Sequence, residues 1–199
     1  MRLNERTKLC GNSVILVPYE EKHVSKYHEW MSRPELRALT ASEALSLEEE
    51  YEMQKSWRND DDKLTFIVLC AKSYARNGDE IASMVGDTNL FMHFDEESQQ
   101  NVGEAEIMIA ESEARGKGYG REAMLLMLKY AQTHLKLDKF EAKIDMDNKI
   151  SLGMFESFQF VEVRRVAVFH EITLERDLTP EWIVWLDEQV ELRPESYES

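Results

Sequence analysis

A glycine-rich segment that carries positive charge is the strongest chemical feature of the sequence. It follows a predicted strand, precedes a predicted helix that begins at Arg121, and reads Arg115, Gly116, Lys117, Gly118, Tyr119, Gly120. Glycines allow close approach of a ligand and positive φ angles, and a helix N-terminus offers unsatisfied N–H groups and the positive end of a dipole. The segment therefore indicates an anion site suited to a pyrophosphate, although glycine-rich turns also occur for structural reasons alone.

Two carboxylates just before this segment could move a proton. Glu104 and Glu106 lie two residues apart in the alternating stretch 101–110, so a strand there would place both on one face. A carboxylate whose pKa is raised by a like-charged neighbour can serve as a general base. Either residue is the candidate base, and Asp87, which follows Gly86, is a third. The structural alternative is an ordinary acidic strand face in an acidic chain.

The elements that must position these groups follow from hydrophobic periodicity and capping signals. The predicted strands are 13–19, 64–71, 82–94, 101–110, 139–146 and a strand or strand pair over 161–174. The predicted helices are 20–30, 47–58, 121–137, 148–158 and one that follows 179–180. Ser46 and Glu49 predict a capping box on the second helix. Strands 64–71, 82–94 and 101–110 are expected to be antiparallel neighbours. The order predicts an α+β fold built on a mixed sheet.

Composition narrows the class of protein. The 199 residues are 43% hydrophobic and 32% charged, which predicts a single domain over 1–199. The net charge of −15 repels phosphate backbones and anionic lipid, so neither nucleic acid nor a membrane is expected as a partner. Cys10 and Cys70 are far apart in the sequence and are predicted to be free thiols. The histidines are scattered, so no metal site is predicted. The N-terminal residues lack the apolar segment of a secretory signal, which predicts a cytoplasmic location.

Two motifs resemble those of the GNAT acetyltransferase superfamily. Its coenzyme loop has Arg or Gln, then glycine three residues on, then Gly or Ala two residues later, and this chain has Arg115, Gly118 and Gly120. The second motif is matched by Asn148, Ser151, Met154, Phe155, Glu156 and Phe160. Gln159 stands where the family has glycine, so a differently shaped turn into the next strand is expected.

The resemblance implies a fold and a set of coenzyme contacts. The fold is the GNAT fold, a mixed and mostly antiparallel sheet flanked by helices, with a coenzyme-binding core at about 102–160. Acetyl-coenzyme A would be the co-substrate, in a channel between two splayed strands, with no metal. Its pyrophosphate would lie at the loop. The backbone of Met108 and Ile109 would meet the pantetheine and acetyl group, with Asn148 and Ser151 on the opposite wall. Asn148 could equally be the N-cap of its helix, and neither role excludes the other.

One position departs from the family's chemistry. Many relatives have a tyrosine that protonates the leaving thiolate, where this chain has Phe155. A phenyl ring donates no proton, so an acid would have to be Tyr119 or solvent, or the thiolate would leave unassisted.

The chain as a whole resembles the eukaryotic N-acetyltransferase 9-like branch of this superfamily. The resemblance is carried by residues 17–19, 28–31, 39–51 and 141–144. It implies acetylation of tubulin N-termini and association with microtubules. A microtubule-stabilising binding module with little catalysis and a small-molecule amine acetyltransferase are the alternatives. Because the chain is acidic, docking on an acidic lattice would need a local basic patch. The candidates are Lys136, Lys139, Lys143, Arg164 and Arg165, or else Arg2, Arg6 and Lys8.

Overall fold

The computed structural model describes residues 2–40 and 42–198. Its strands are β1 (Thr7–Cys10), β2 (Val14–Pro18), β3 (Lys63–Cys70), β4 (Met84–Asp95), β5 (Gln100–Ile109), β6 (Lys139–Asp145), β7 (Val161–Val166), β8 (Glu171–Asp177) and β9 (Pro194–Ser196). Its α-helices are α1 (Val24–Met31), α2 (Pro34–Leu39), α3 (Leu47–Asn59), α4 (Ala71–Asn77), α5 (Glu80–Ser83), α6 (Tyr119–His134), α7 (Lys149–Ser157) and α8 (Pro180–Gln189).

The strands within these residues form one nine-stranded sheet in the order β7-β8-β6-β5-β4-β3-β2-β1-β9. Every neighbouring pair is antiparallel except β5 and β6, which are parallel. The predicted mixed, mostly antiparallel sheet and the antiparallel arrangement of β3, β4 and β5 are confirmed. The prediction of a single domain over 1–199 stays a prediction.

Helices cover both faces of the central strands, which explains their long apolar runs. Leu64, Phe66 and Val68 of β3 belong to the core that contains α6, whereas Ile67 and Leu69 belong to the core that contains α1. Successive side chains of a strand point to opposite faces, so a strand covered on both sides needs apolar residues at nearly every position. Below, the face under α1 and α3 is called the N-terminal face.

The sequence analysis missed five short elements. Strands β1 and β9 pair with each other at the edge of the sheet, and neither has a long apolar pattern. Helix α1 ends at Met31, and Pro34 occupies the first turn of the short helix α2, where proline is favoured because its missing N–H has no helical role. Helices α4 and α5 flank Gly78, whose φ of 65° closes α4 as a left-handed C-cap.

The capping signals read from the sequence are present. The Ser46 side chain accepts a hydrogen bond from the Glu49 amide and the Glu49 side chain binds the Ser46 backbone, completing the predicted capping box of α3. The Thr179 side chain accepts from the Trp182 amide at the start of α8. None of the helices among the described residues has the length and apolar character that crossing a membrane requires.

Candidate functional site

The two parallel strands at the centre of the sheet separate after a short paired stretch. Residues 102–104 of β5 pair with 139–141 of β6, and beyond Glu104 and Glu141 the register ends. Strand β6 remains paired with β8 from Lys139 to Asp145, so it diverges from β5 without losing its other neighbour. The result is a wedge-shaped opening in the sheet, bordered by 105–109 and 142–145, as the resemblance implied.

A glycine on β4 allows a close backbone contact beside this opening. A Cβ atom at Gly86 would lie 1.9 Å from the Met108 carbonyl oxygen, so no other residue fits without moving the strand. Gly86 lies opposite Ile109 in the register, and the pairing of β3 with β4 shifts at the same level, between Val68 and Leu69. Gly86 thereby fixes the backbone of Met108 and Ile109 at the edge of the opening.

The glycine-rich loop has the backbone that an anion site needs. Gly116 and Gly118 have φ angles of 71° and 82°, and a Cβ atom at either would meet nothing within 4 Å. The first bond of α6 runs from the Glu122 amide to the Gly118 carbonyl at 3.1 Å, so the preceding amides have no partner within the helix. The open space and the unused donors fit a pyrophosphate. Gly120 has no positive φ, and its Cβ would make ordinary contact with Ile109.

The cations of the loop have different roles. Arg115 donates from Nε to the Ile109 carbonyl at 2.8 Å, which anchors the loop to the end of β5. Arg121 donates to Ser157 Oγ at 2.6 Å and lies over the Phe158 ring, which joins α6 to α7. The Lys117 side chain is exposed. The expectation that all three point their charge at a ligand is therefore too simple, because two of them tie structural elements together.

Helix α7 lies across the opening from the loop. Asn148 is its N-cap, and its side chain accepts a hydrogen bond from the Ser151 amide at 3.1 Å, which confirms the capping alternative. Gln159, at the position of the family's glycine, adopts a φ of 66°. This is the left-handed conformation that glycine adopts more easily, and the differently shaped turn stays a prediction.

The two candidate bases on β5 have different surroundings. Glu104 accepts a 2.6 Å hydrogen bond from Lys143 Nζ, and Lys143 also lies 3.0 Å from Glu141. Part of the Glu106 side chain reaches solvent. Protein atoms nevertheless surround much of it, and the resulting desolvation raises the pKa of its carboxyl group. Glu104 raises it further, while Lys63 and Lys143 oppose the shift. Glu106 is the better placed of the two to accept a proton near neutral pH.

Asp87 lies one strand away, on the same face and fully buried. Desolvation raises its pKa to about 7, and the charge of Glu106 adds to the shift. Its Oδ2 accepts a 2.7 Å hydrogen bond from Asn89, whose Oδ1 accepts one from Thr65 Oγ1 at 2.7 Å. Its Oδ1 has no hydrogen-bond partner among the described residues. Asn89 lies directly opposite Glu106 in the register, so these groups form one polar row across three strands.

Sequence reasoning missed Lys63, which belongs to the same group. It is 3% exposed, and its Nζ lies 2.9 Å from the centre of the Trp57 ring and 3.9 Å from that of Phe91. Burial lowers its pKa to about 7, against the opposing charges of Glu106 and Asp87. Three aspartates precede Lys63, and such a run is typical of a solvated surface. The signal that could have located Lys63 is the alternation of side chains along β3, which places Lys63 and Thr65 on the same face of the sheet.

The proposed sources of a general acid lie away from the opening. Phe155 is buried against Phe158 and Phe160, so it packs and donates nothing. The Tyr119 hydroxyl lies 3.4 Å from Cys70 Sγ, at the end of β3, two strands from the opening. Burial alone would raise the pKa of Cys70, but the Tyr119 hydroxyl and backbone N–H groups of α4 lower it. Both cysteines are free thiols, as predicted.

Several of the cations expected to form a basic patch are paired with carboxylates of the protein itself. Lys139 is 7% exposed and pairs with Glu175, and Arg165 makes two hydrogen bonds to Glu162. Lys8 pairs with Glu195 at 2.7 Å. These cations hold the protein's own carboxylates, so they do not form a surface of unbalanced positive charge.

Asp145, Asp147 and His170 each place one potential metal ligand within 4.8 Å of the others. All three are exposed, and exposed acidic groups often lie together without an ion. The expectation of no metal stays a prediction.

Comparison with known proteins identifies relatives along the whole chain. A family model for the acetyltransferase (GNAT) domain matches residues 13–161. Alpha/beta-tubulin-N-acetyltransferase 9 of Drosophila melanogaster is 69% identical over the full length of both chains. The Homo sapiens protein of the same name is 51% identical over 95% of this chain and 92% of its own.

A solved structure shares the fold at low identity. Spermidine N-acetyltransferase from Vibrio cholerae, in complex with CoA and spermine, superimposes with a TM-score of 0.66 at 19% identity, over 83% of this chain and 94% of its own. The wedge between β5 and β6, the glycine loop and the capped α7 are thus set in a shared architecture.

Proposed function

The chain belongs to the GNAT acetyltransferase family and is an N-acetyltransferase with acetyl-coenzyme A as co-substrate, and we propose that it acetylates the α-amino groups of tubulin N-termini. The observation that carries the catalytic half is the divergence of β5 from β6 immediately before Glu106, beside an anion-binding loop. The tubulin half is supported by the names of relatives at 69% and 51% identity.

Toward the coenzyme, the protein's role is to bind the molecule and to orient its acetyl thioester. The loop at 115–120 binds the pyrophosphate through backbone amides, with Lys117 adding charge. The backbone of Met108 and Ile109, fixed by Gly86, borders the acyl end, and Asn148 and Ser151 form the opposite wall. The coenzyme supplies an acetyl thioester. Fixing it between two strands replaces a bimolecular encounter with an oriented one, which lowers the entropic barrier.

The acceptor amine must lose its charge before it can attack. At pH 7.4 a lysine with a pKa near 10.4 is about 0.1% neutral, whereas an α-amino group near 7.8 is roughly 30% neutral, a difference of about 3 kcal/mol in favour of the terminus. Glu106, directly or through a water, takes the remaining proton, and its raised pKa suits a base at neutral pH. Desolvation raises that pKa, and the charge of Lys63 opposes the shift.

The test is acetylation of purified tubulin with acetyl-coenzyme A, followed by N-terminal peptide mass analysis. Acetyl groups are expected on α-amino termini and not on internal lysines. Time courses with wild type and with a Glu106→Gln variant distinguish catalysis from chemical acetylation by the thioester. Acetylation at equal rates with both proteins would remove Glu106 from the mechanism, and acetylation of lysine alone would contradict the acceptor.

A microtubule-binding module with little catalysis is the second candidate, and one observation favours it. Phe155 is locked in an aromatic core, so the family's usual proton donor is missing. Co-sedimentation with microtubules by a protein that binds coenzyme A but acetylates no tubulin at any enzyme concentration would favour this candidate. In that case the protein would act at or near microtubules in the cytoplasm without turnover.

A further inference from the structure

A cavity of about 220 Å³ lies between α1, α3 and the segment 42–45, on the N-terminal face. Its apolar walls are Tyr27, Met31, Leu45, Met53 and Trp57. At about 30 Å³ for each water-sized group, this is room for roughly seven non-hydrogen atoms. A cavity of this volume with mostly apolar walls can take one long amino-acid side chain.

One wall of the cavity carries a buried carboxylate. Glu50 of α3 is 1% exposed, and its Oε2 has no hydrogen-bond partner among the described residues. Desolvation raises its pKa, and His28 opposes the shift. The His28 Nδ1 atom lies 3.8 Å from Glu50 Oε1, which is too far for a hydrogen bond. A buried carboxylate oxygen without a partner is unfavourable unless a ligand completes it, and the ligand that does so best is a cation.

Two aromatic rings and a second carboxylate also line the cavity. The rings of Tyr27 and Trp57 have centroids 6.4 Å apart and planes at 80°, so one presents a face where the other presents an edge. The Trp57 ring already accepts the Lys63 ammonium in a cation–π contact. Glu43, on the rim, adds a second carboxylate.

The cavity is close to the reacting centre. Tyr27 lines the cavity, and its pKa is raised by burial and by the charges of Asp87, Glu50 and Glu106, so these carboxylates act on the same side chain. Trp30 of α1 donates a 2.7 Å hydrogen bond to Glu111, at the end of β5, which holds α1 against the strand that borders the opening. The cavity and Glu106 therefore lie on the same face of the sheet, the N-terminal face.

We propose that this cavity binds a lysine or arginine side chain near the N-terminus of the acceptor polypeptide, with Glu50 as its counter-ion. The inference rests on the proposed function in one respect, that the occupant belongs to a protein acceptor. It adds a specificity that the reaction itself does not require, since a base and a thioester would serve any exposed α-amine.

Equilibrium binding tests this without turnover. Fluorescently labelled hexapeptides with acetylated N-termini would carry arginine, lysine, norleucine or glutamate at each of the first three positions in turn. They would be titrated with wild-type protein saturated with coenzyme A. At one position the arginine or lysine peptide is expected to bind at least tenfold more tightly than the norleucine peptide, because a charge-assisted contact replaces an apolar one of similar length.

Three variants assign the preference to the cavity. Glu50→Gln keeps the shape and removes the charge, so the cationic and norleucine peptides should bind within twofold of each other. Glu52→Gln is the matched control on the same helix, because its side chain is 69% exposed and pairs with Lys55, and it should keep the full preference. Met53→Trp fills the cavity and should weaken the cationic peptide at least tenfold while the affinity for coenzyme A stays unchanged.

The outcomes separate this inference from the proposed function. Equal binding of cationic and norleucine peptides to wild type at every position would overturn the inference, even if tubulin is acetylated. A preference that persists in both Glu50→Gln and Met53→Trp would also overturn it. Should Glu50→Gln fail to fold in a thermal melt, the wild-type preference and Met53→Trp still decide. A cavity-dependent preference in a protein that acetylates no tubulin would support the inference and contradict the proposed function.

Discussion

Glycine at position 118 can serve two purposes, since it adopts a positive φ angle easily and leaves space for a ligand. Replacing Gly118 with alanine separates these two effects. The φ of Gly118 is 82°, and a Cβ atom there would meet nothing within 4 Å. Alanine therefore creates no clash within the protein, and its penalty is the conformational one for a left-handed residue, about 1–2 kcal/mol. That penalty corresponds to a factor of roughly 5 to 30 in an equilibrium constant.

The penalty must appear either in folding or in coenzyme binding. If the loop keeps its shape, the free energy of unfolding falls by about 1–2 kcal/mol and coenzyme affinity is nearly unchanged. If the loop relaxes, stability is retained and the coenzyme must restore the left-handed conformation, so its dissociation constant rises by roughly 5- to 30-fold. Urea denaturation and calorimetric titration with coenzyme A together should recover the whole penalty for Gly118→Ala.

Two further variants make the result decisive. Gly118→Asn tolerates the positive φ but places a side chain in the open space, so it should weaken coenzyme binding with a smaller loss of stability. Gly120→Ala has no positive φ to maintain and only ordinary contact with Ile109, so both quantities should stay near wild type. If Gly118→Ala matches wild type in both measurements, or Gly120→Ala loses as much as Gly118→Ala, the conformational argument fails.

Three further results are expected. In steady-state kinetics, Glu106→Gln should lower kcat/KM by about 10²-fold or more. Glu104→Gln should lower it by much less, because Lys143 already holds the Glu104 carboxylate. Equal losses would contradict the assignment of Glu106 as the base. The pKa of Asp87 is about 7 in the folded state and 3.8 ordinarily, so the folded state binds more protons and the free energy of unfolding falls as pH rises between these values. Asp87→Asn should remove up to roughly 4 kcal/mol of that fall, measured by urea denaturation at pH 4 and pH 8. If the variant shows the same difference between the two pH values as wild type, the argument is refuted. Ser46→Ala should lower the free energy of unfolding by about 1 kcal/mol, and no loss in denaturant melts would show that the capping box contributes nothing.

The parts of the site that the sequence predicted are those set by local chemistry. The glycine loop, the helix after it and the Asn148 cap each depend on a few consecutive residues, whose φ angles and hydrogen bonds follow from residue type. The same reasoning found the long strands, because a strand covered on both faces is apolar throughout. It found neither β1 nor β9, whose pairing joins the two ends of the chain across an edge.

The acceptor side depends on contacts between distant segments, so the sequence alone did not show it. Lys63 follows three aspartates and Glu50 follows two glutamates, and both runs are typical of solvated surface. The burial of Lys63 depends on Trp57 of α3, and that of Glu50 on the packing of α3 against α1. The docking patch stays a prediction, but two of its cations are paired: Lys139 with Glu175 on the neighbouring strand β8, and Arg165 with Glu162 on its own strand β7.

The distribution of charge around the opening suits two substrates of opposite sign. The coenzyme is an anion and the chain has a net charge of −15, so under the proposed function its binding would depend on the backbone amides and the short-range charge of Lys117 in the loop before α6. The N-terminal face carries Glu106, Asp87 and Glu50, a local field that attracts the protonated amine of an acceptor. Burial raises the pKa of each of these carboxyl groups, which favours Glu106 as the acceptor of the proton that the amine must lose. The acidity of the chain therefore opposes coenzyme binding in general but favours acceptor binding, and under the proposed function the two substrates would meet at the wedge between β5 and β6.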